Sequence, residues 1–251
     1  MFKPAVCCIA LCILMGTAMS QNSVLGRTDW EFYGFKGRIK DLHETTDSSK
    51  RVADWHFTAD GKLEWLSGEH PYLDKLYTHD NLGRIILEAD ADTSETWTKT
   101  MTTYEKKDKL TIVTTLYLET NKTGISVPPC PLKQTFIYDE KGWLIRSVMY
   151  SCDTLTVSMS SDLIHDDAGH LTSMRSVQDS VVTITRYEND KRGNPLTITN
   201  FSADGKILPA QTETYTYTYD KDQNWIVQSN TFTRRGKKVT KTNRRSITYY
   251  Q

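Results

Sequence analysis

The sequence lacks an excess of charge of either sign. Its 31 Lys and Arg residues balance its 31 Asp and Glu residues, so the formal net charge is zero at pH 7. Proteins that bind nucleic acid or a membrane over much of their surface carry a large charge of one sign. We therefore expect no nucleic-acid partner and no general attraction to membranes.

Motifs for catalysis, cofactors and metals are also missing. The chain contains no G-x-S-x-G, P-loop, dinucleotide fingerprint or H-E-x-x-H pair. Asp220, Asp222 and Asn224 have the opening spacing of a calcium loop. However, Trp225 occupies the glycine position of that loop and Thr231 occupies its last glutamate position. A plain Asx turn fits these residues better, so we expect no metal, no cofactor and no catalytic residue.

Long apolar runs are absent except near the start of the chain. Lys3 precedes an apolar run over residues 5–15, and Ala18-Met19-Ser20 resembles a signal-peptidase site. This pattern predicts a signal peptide over residues 1–20, and the run is shorter than the roughly 20 residues that a transmembrane helix needs. A membrane anchor and a lipoprotein built on Cys7, Cys8 or Cys12 are less favoured. We expect an exported protein, periplasmic or at the cell surface, with no transmembrane segment after cleavage.

Cysteine is scarce beyond the predicted signal peptide, where only Cys130 and Cys152 occur. Each lies 11 residues from Lys141, at the centre of a predicted hairpin. In an antiparallel pair, this symmetry places the two Cβ atoms about 5 Å apart, and exported proteins hold disulfides. The sequence predicts a structural disulfide, with two buried free thiols as the alternative.

The most frequent pattern in the chain is a β-hairpin turn flanked by alternating apolar residues. An aspartate followed three positions later by glycine occurs four times, and Asp220 begins a fifth copy with glutamine in the glycine position. The four pairs are Asp80 with Gly83, Asp139 with Gly142, Asp166 with Gly169, and Asp190 with Gly193. Aspartate accepts hydrogen bonds within its own turn, and glycine takes the positive φ that closes it. These residues are therefore predicted to be structural turns.

Helical periodicity does not occur outside residues 1–20, whereas Thr, Val, Ile and Tyr dominate the alternating stretches. The predicted fold is all-β over residues 21–251, as one domain with a possible internal break at the proline-rich residues 121–131. We expect a continuous antiparallel sheet of about six degenerate β-hairpin repeats, open, curved or spiral. No feature of the sequence decides whether such a sheet closes into a barrel.

Four of the turn segments resemble a known family. YTHDNLGRI, FIYDEKGWL, YENDKRGNPL and YTYDKDQNW, which begin at Tyr77, Phe136, Tyr187 and Tyr217, are similar to the YD repeats of RHS-type proteins. The F-x-G-x-I-K opening and R-x-I-x-Y closing segments look like those of exported YD-repeat-like proteins of Bacteroidetes. The resemblance implies a sheet of hairpins in or outside the cell envelope. It also implies O-glycosylation at Thr154 and Ser180, which lie in Asp-Thr-Leu and Asp-Ser-Val triplets.

Aromatic and basic side chains supply the candidate binding residues. Trp97, Trp143 and Trp225 are candidate ligand-binding residues because aromatic faces stack on sugar rings, although a sheet core uses such residues too. A basic patch near the end suits solubility and protection of a sheet edge, or contact with an anionic polymer or membrane surface; its members are Arg234, Arg235, Lys237, Lys238, Lys241, Arg244 and Arg245.

The resulting functional prediction is a non-enzymatic envelope protein with a binding or structural role. Its expected partners are polysaccharide or another envelope protein. A glycan-active hydrolase and a periplasmic lipid or ligand carrier remain as alternatives, because carboxylates distant in sequence can assemble in space and a curved sheet can enclose a groove.

Overall fold

A computed structural model describes residues 29, 33–47, 49–68, 74–90, 96–121, 132–151 and 156–251. Most of these residues lie in β-strands. In order the strands are β1 (Ile39–Thr46), β2 (Ser49–Phe57), β3 (Leu63–Gly68), β4 (Lys75–His79), β5 (Ile85–Asp90), β6 (Thr96–Lys107), β7 (Leu110–Asn121), β8 (Leu132–Tyr138), β9 (Leu144–Tyr150), β10 (Val157–His165), β11 (Leu171–Gln178), β12 (Val181–Asn189), β13 (Pro195–Ser202), β14 (Ile207–Tyr219), β15 (Trp225–Arg234) and β16 (Lys237–Tyr249).

Each strand pairs antiparallel with the next one in sequence, and β16 pairs with β1, so the sheet is a closed 16-strand barrel. Along the β1–β16 seam, Leu42 lies opposite Ile247 and Glu44 lies opposite Arg245. The all-β prediction is therefore confirmed, but the open, curved or spiral sheet is wrong. Closure gives the backbone groups of both terminal strands a partner, which an open sheet would leave exposed at two edges.

The resemblance to YD-repeat proteins of the RHS type is also wrong, as is the description of the chain as a sheet of hairpin repeats. The F-x-G-x-I-K segment, which suggested the family, leads into β1 with its last two residues, and the R-x-I-x-Y segment is the end of β16, which pairs with β1 at the seam. Their likeness to a family pattern reflects the needs of strands and tight turns, which aromatic, β-branched, Asp and Gly residues meet in many unrelated sheets.

Consecutive hairpins place their turns at alternate ends of the barrel. One end, here called the turn end, carries the Asp80, Asp139, Asp166, Asp190 and Asp220 turns. The other end, here called the far end, carries the β1–β2, β11–β12, β13–β14 and β15–β16 turns. All five of the aspartate turns identified in the sequence thus lie at one end.

The hydrophobic core lies near the turn end. Its buried members are Phe35, Ile39, Leu42, Phe57 and Leu63, with Tyr33, Trp55, Tyr77, Ile247, Tyr249 and Tyr250 packed against them. The Tyr33 and Trp55 rings meet edge to face with centroids 4.9 Å apart. Because these residues come from several strands and from the segment before β1, the face that they share is the barrel interior. Each fully buried Phe or Leu contributes about 1.5–3 kcal/mol.

Two sequence predictions concern residues that lie wholly or mostly outside the described part, namely the disulfide between Cys130 and Cys152 and the possible break at residues 121–131. Cys130 and Cys152 both lie outside the described residues, and no disulfide is seen in the part of the chain that the structure describes. Across the proline-rich stretch, β7 pairs directly with β8, with Tyr117 opposite Leu132.

Within the described ranges, no helix has the length and apolar character needed to cross a membrane.

Candidate functional site: the polar barrel interior

The interior wall of β14, β15 and β16 carries a continuous set of polar and aromatic side chains. Residues paired directly across antiparallel strands point to the same face. The register places Tyr217 opposite Gln228 and Gln228 opposite Asn243. Asn243 shares its face with Arg245, which faces the core, so all of these side chains point inward. The threonines that alternate with the tyrosines on β14 point outward and are exposed.

These inward side chains hydrogen-bond to one another. The Tyr215 hydroxyl donates to Glu213 Oε2 at 2.5 Å, and Asn230 Nδ2 donates to the same oxygen at 2.8 Å. Asn243 Nδ2 donates to Gln228 Oε1 at 2.9 Å. Asn230 Oδ1 is buried and accepts no hydrogen bond from any described residue. We call Glu213, Tyr215, Tyr217, Gln228, Asn230 and Asn243 the interior polar wall.

Tyr215, Tyr217 and Tyr219 form a ladder along β14. Successive ring centroids are 6.4 Å and 6.0 Å apart, with interplanar angles of 11° and 30°. Burial raises the pKa of Tyr217 to about 12, and a hydrogen bond from Gln228 opposes that rise only in part. Burial, followed by the neighbouring Glu213, raises the pKa of Tyr215 further. Both hydroxyls are therefore neutral and able to donate at physiological pH.

The rest of the described interior is also rich in neutral hydroxyl and amide groups. The Ser161 and Ser176 hydroxyls are 2.8 Å apart, and Thr185 donates to Asn200 Oδ1 at 2.6 Å. Gln134 on β8 is almost completely buried. Two interior ion pairs are Glu44 with Arg245 at 3.3 Å and Lys75 with Glu88 at 3.7 Å, while Glu213 accepts hydrogen bonds from neutral groups. The interior thus presents hydroxyls and amides with little uncompensated charge.

Residues 33–38 cross the barrel at the turn end. Lys36 donates its backbone N–H to Asn224 Oδ1 at 2.8 Å, and Asn224 Nδ2 donates to the Lys36 carbonyl at 2.7 Å. The Arg245 guanidinium lies 3.4 Å from the Trp225 ring centroid and 5.3 Å from that of Phe35. Burial lowers the pKa of Arg245, and Glu44 opposes that change. This segment therefore covers part of the interior at that end.

The aspartate turns share one geometry. In the Asp190 turn, Oδ1 accepts from the backbone N–H groups of Arg192 at 2.7 Å and Asn194 at 3.0 Å. The other four turns have the same two hydrogen bonds, from the residues two and four positions after the aspartate; they begin at Asp80, Asp139, Asp166 and Asp220. Each aspartate side chain thus binds the backbone of its own turn.

The position three residues after each aspartate has a positive φ. In four of the turns this residue is a glycine, and the four are Gly83 at 77°, Gly142 at 81°, Gly169 at 89° and Gly193 at 86°. The backbone N–H of each glycine donates to the carbonyl of its aspartate at 3.0 Å. In the Asp220 turn the same position is Gln223, at 70°. The structure thus places Gly83, Gly142, Gly169 and Gly193 where the turn closes, at the end of the barrel, and away from the interior polar wall.

Tyrosines link neighbouring turns at this end. Tyr219 donates its hydroxyl to Asp190 Oδ2 and accepts from Asn194 Nδ2 at 3.0 Å. One hairpin further, Tyr249 donates to Asp220 Oδ2 at 2.5 Å and accepts from Asn224 Nδ2 at 2.8 Å. Burial alone would raise the pKa of Asp190, but the Tyr219 hydroxyl and the backbone N–H groups of its turn lower it overall.

The three candidate tryptophans lie in different places. Trp97 belongs to β6, and its side chain is outside the described part. Trp143 lies in the Asp139 turn, with its ring 5.7 Å from that of His165 and Lys141 4.3 Å above it. Trp225 is buried below Arg245. The structure does not bring Trp143 and Trp225 into one site, and their role in ligand binding remains a prediction.

The basic residues divide between the two faces and the far end. Arg244 points outward and pairs with Asp47 at 2.7 Å, whereas Arg245 points inward. The other five members, Arg234, Arg235, Lys237, Lys238 and Lys241, lie at the far end. Ser180 is exposed in the β11–β12 turn with a φ of 67°, and Thr154 lies outside the described residues. β16 has a paired strand on both sides, so it is not a sheet edge.

The outer wall also carries polar side chains. His56 Nδ1 lies 2.6 Å from Asp41 Oδ1, and His43 pairs with Asp54. Arg146 lies 3.7 Å from Asp162. Exposed apolar residues such as Leu76, Met101 and Ile164 also occur there, but on β14 the outward positions 212, 214, 216 and 218 are all exposed threonines.

Sequence reasoning did not identify the interior polar wall. The alternation in YTYTY indicated two different faces of β14, but no feature of the sequence showed which face is interior. Glu213, Gln228, Asn230 and Asn243 were not singled out because isolated amides on strands have no diagnostic spacing. Their common location depends on the register between three strands.

The fold and its interior together define a closed antiparallel β-barrel with a polar interior. No protein-family model matches the chain, and no curated protein matches it. The chain is similar in fold to a porin-like protein from Bacteroides uniformis ATCC 8492, with 13% identity, a TM-score of 0.46, and coverage of 85% of this chain and 98% of that one. A porin-like protein from Bacteroides vulgatus ATCC 8482 has 9% identity and a TM-score of 0.41, covering 84% of this chain and 98% of that one.

Proposed function

We propose that this protein is an exported, non-enzymatic barrel of the cell envelope whose interior binds a neutral, hydroxyl-rich ligand, namely a segment of oligosaccharide. The observation that carries the proposal is the interior polar wall, where amides, a carboxylate and tyrosine hydroxyls form one hydrogen-bonded surface. The exported location follows from the signal-peptide pattern in residues 1–20.

The chemistry of the wall suits sugar hydroxyls. Amide groups both donate and accept hydrogen bonds, and a carboxylate accepts several. Tyrosine rings add apolar surface for the C–H groups of a sugar, with their hydroxyls still able to bond. A neutral polar ligand is favoured because Glu44 and Glu88 lie beside cations and Glu213 already accepts hydrogen bonds from Tyr215 and Asn230.

The interior favours this ligand over the substrates of the two alternative functions. A lipid carrier needs an apolar groove, whereas the described interior includes many hydroxyl and amide groups. A glycan hydrolase needs two carboxylates facing one bond. The interior carboxylates named above already have neighbours on the wall: Glu44 contacts Arg245, Glu88 contacts Lys75 and Glu213 contacts Tyr215.

The outer wall favours a barrel surrounded by water. A membrane-spanning barrel presents an apolar band to lipid, where an Arg or Lys at the midplane costs about 2–4 kcal/mol. Here Arg146 and Asp162 lie on the outer face of β9 and β10, and exposed threonines cover the outer face of β14. We therefore expect the chain from residue 21 to 251 to stay in solution without detergent. Dependence on detergent together with leakage from lipid vesicles would contradict this part of the proposal.

The binding proposal is tested by calorimetry and a glycan array with neutral oligosaccharides. Tyr217→Ala and Asn230→Ala remove one tyrosine ring and one amide group of the interior polar wall. Thr216→Ala and Thr218→Ala are matched controls because they lie on the same strand, β14, and point outward. We expect each interior substitution to weaken binding about tenfold, equivalent to the loss of one hydrogen bond or ring contact. Equal losses in the outer controls, or no binding of any neutral glycan, would refute the proposal.

A further inference from the structure

The last turn at the far end of the barrel joins β15 to β16. The pairing of β14 with β15 ends at Thr214 opposite Thr231. On the other side, the pairing of β1 with β16 ends at Thr46 opposite Asn243, and Asp47 contacts Thr242. Beyond these points β15 and β16 stay paired with each other as far as Arg234 opposite Lys237, while β14 continues to Ile207 beside β13. At about 3.3 Å per residue, the three residues of β15 after Thr231 span roughly 10 Å before the turn.

This segment, residues 232–241, is here called the basic hairpin. It contains five cations, Arg234, Arg235, Lys237, Lys238 and Lys241, and residues 231–242 contain no Asp or Glu. All five cations are exposed. No ion pair joins any of them to another described residue, whereas Arg244 pairs with Asp47 and Lys206 pairs with Asp204. The cations of the basic hairpin are thus uncompensated within the described chain.

The arrangement also places like charges together. Arg234 and Lys237 lie directly opposite each other next to the turn, and directly opposed like charges destabilise an antiparallel pair. The folded protein therefore concentrates positive charge at this tip although its total charge is zero. An external anionic partner would relieve that repulsion, which gives the tip a preference for anions.

The distribution of the charges indicates the shape of the partner. Arg234, Lys237 and Lys241 share one face of the ribbon, Lys238 lies on the other face, and Arg235 is in the turn. A single linear polyanion would contact one face at a time. A surface with many anionic groups, entered by the tip, would contact both faces and the turn together. Phe232 opposite Val239 adds an apolar pair behind the cations, which suits the boundary between headgroups and acyl chains.

We propose that the basic hairpin docks the barrel, tip first, on an anionic lipid surface. Lys and Arg clusters bind such surfaces by attraction to the headgroups, and this attraction weakens as salt screens the charges. Binding uses the hairpin at the far end and not the interior, so it is independent of oligosaccharide binding. The barrel itself remains outside the hydrocarbon layer.

The test measures co-flotation of the full chain from residue 21 to 251 with lipid vesicles. Vesicles of phosphatidylcholine alone are compared with vesicles that also contain phosphatidylglycerol. The variant Arg235→Gln/Lys237→Gln/Lys238→Gln removes three cations, and the control Lys106→Gln/Lys107→Gln/Lys109→Gln removes three from the β6–β7 turn at the other end of the barrel. Thermal unfolding of both variants shows that they remain folded.

We expect binding only to the anionic vesicles, with a decrease as salt rises. The hairpin variant should bind roughly 100-fold more weakly, since each cation near an anionic surface contributes roughly fivefold, and the control variant should bind like the wild type. Equal loss in both variants would show general charge attraction and refute the proposal. Retention on heparin that depends on the hairpin, without vesicle binding, would also refute it and assign a soluble polyanion instead.

Discussion

Two arginines on the β15–β16 hairpin have opposite environments. Arg245, near the turn end, has only 6% of its side chain exposed and lies between the Trp225 ring, Phe35 and Glu44. Arg234, at the far end, is exposed and lies opposite Lys237. The difference arises from what the rest of the chain places beside each one. At the turn end, β1 and the crossing segment provide a carboxylate and a ring. At the far end, β16 instead places a second cation opposite Arg234.

The largest effect should come from removing the buried cation. Arg245→Met leaves Glu44 without its partner in a buried site, and breaking a buried pair in this way costs about 3–5 kcal/mol. Arg234→Met, the matched change at the far end, should alter the free energy of unfolding by less than about 0.5 kcal/mol. Urea unfolding of both variants measures this. A similar loss of unfolding free energy in Arg245→Met and Arg234→Met would contradict the difference between the two environments.

A second pair of substitutions compares glycine turns at the two ends. A Cβ on Gly169 would lie 2.8 Å from Trp143 Nε1, whereas a Cβ on Gly205 at the far end meets nothing within 4 Å. Both residues have positive φ, at 89° and 80°. Gly205→Ala should cost about 1 kcal/mol through backbone strain, and Gly169→Ala about 2–3 kcal/mol because overpacking adds to it. Thermal unfolding checks the order, and a reversed order would contradict the packing of Trp143 on Gly169.

The pH dependence of stability should differ less between aspartate substitutions at the two ends. The lowered pKa of Asp190 means that its contribution to stability is complete above the unfolded pKa of about 3.9 and is lost as the pH falls through the folded value. Asp190→Ala should therefore cost about 1–2 kcal/mol at pH 7, through lost charge-assisted hydrogen bonds, and progressively less below pH 4. Asp204→Ala at the far end should have a smaller effect. A pH-independent cost at Asp190 would exclude its ionised form as the cause.

The smallest effect should be a gain in stability from a substitution at the turn end. Gln223 has a φ of 70° where the other aspartate turns have glycine, so Gln223→Gly removes strain of about 1 kcal/mol. Loss of the hydrogen bond from Arg192 Nε to Gln223 Oε1, 2.9 Å long, and the greater freedom of glycine in the unfolded chain offset part of that gain. We expect stabilisation below about 1 kcal/mol by urea unfolding. A clear loss would show that the Arg192 contact outweighs the strain.

Local features of the fold were readable from the sequence. Strands follow from two-residue alternation, and an Asp with a Gly three positions later describes a turn whose hydrogen bonds all lie within five residues. Closure of the barrel could not be predicted from such local patterns. Glu44 lies opposite Arg245 because of pairing between residues about 200 positions apart, and the periodicity of β1 or β16 would be the same in an open sheet.

The candidate site was less predictable than the fold. Asn230 and Gln228 belong to the polar wall because of the residues opposite them on the neighbouring strands. Arg245 was predicted to be one member of a basic patch, whereas in the structure it contacts Glu44 and Trp225. The tryptophans were candidate ligand contacts because aromatic faces stack on sugar rings. The polar wall consists instead of residue types that are common on any strand, so composition does not distinguish it.

The seam between β1 and β16 determines the order in which the molecule can assemble. Every other ladder joins strands adjacent in sequence and can form locally within microseconds, whereas the seam must bring together segments about 200 residues apart. Closure is therefore expected to be the last and slowest step of folding. Until it occurs, β1 and β16 expose their backbone edges, and these can pair with another chain. Refolding at high concentration should thus yield dimers in which β1 of each chain completes the ring of the other.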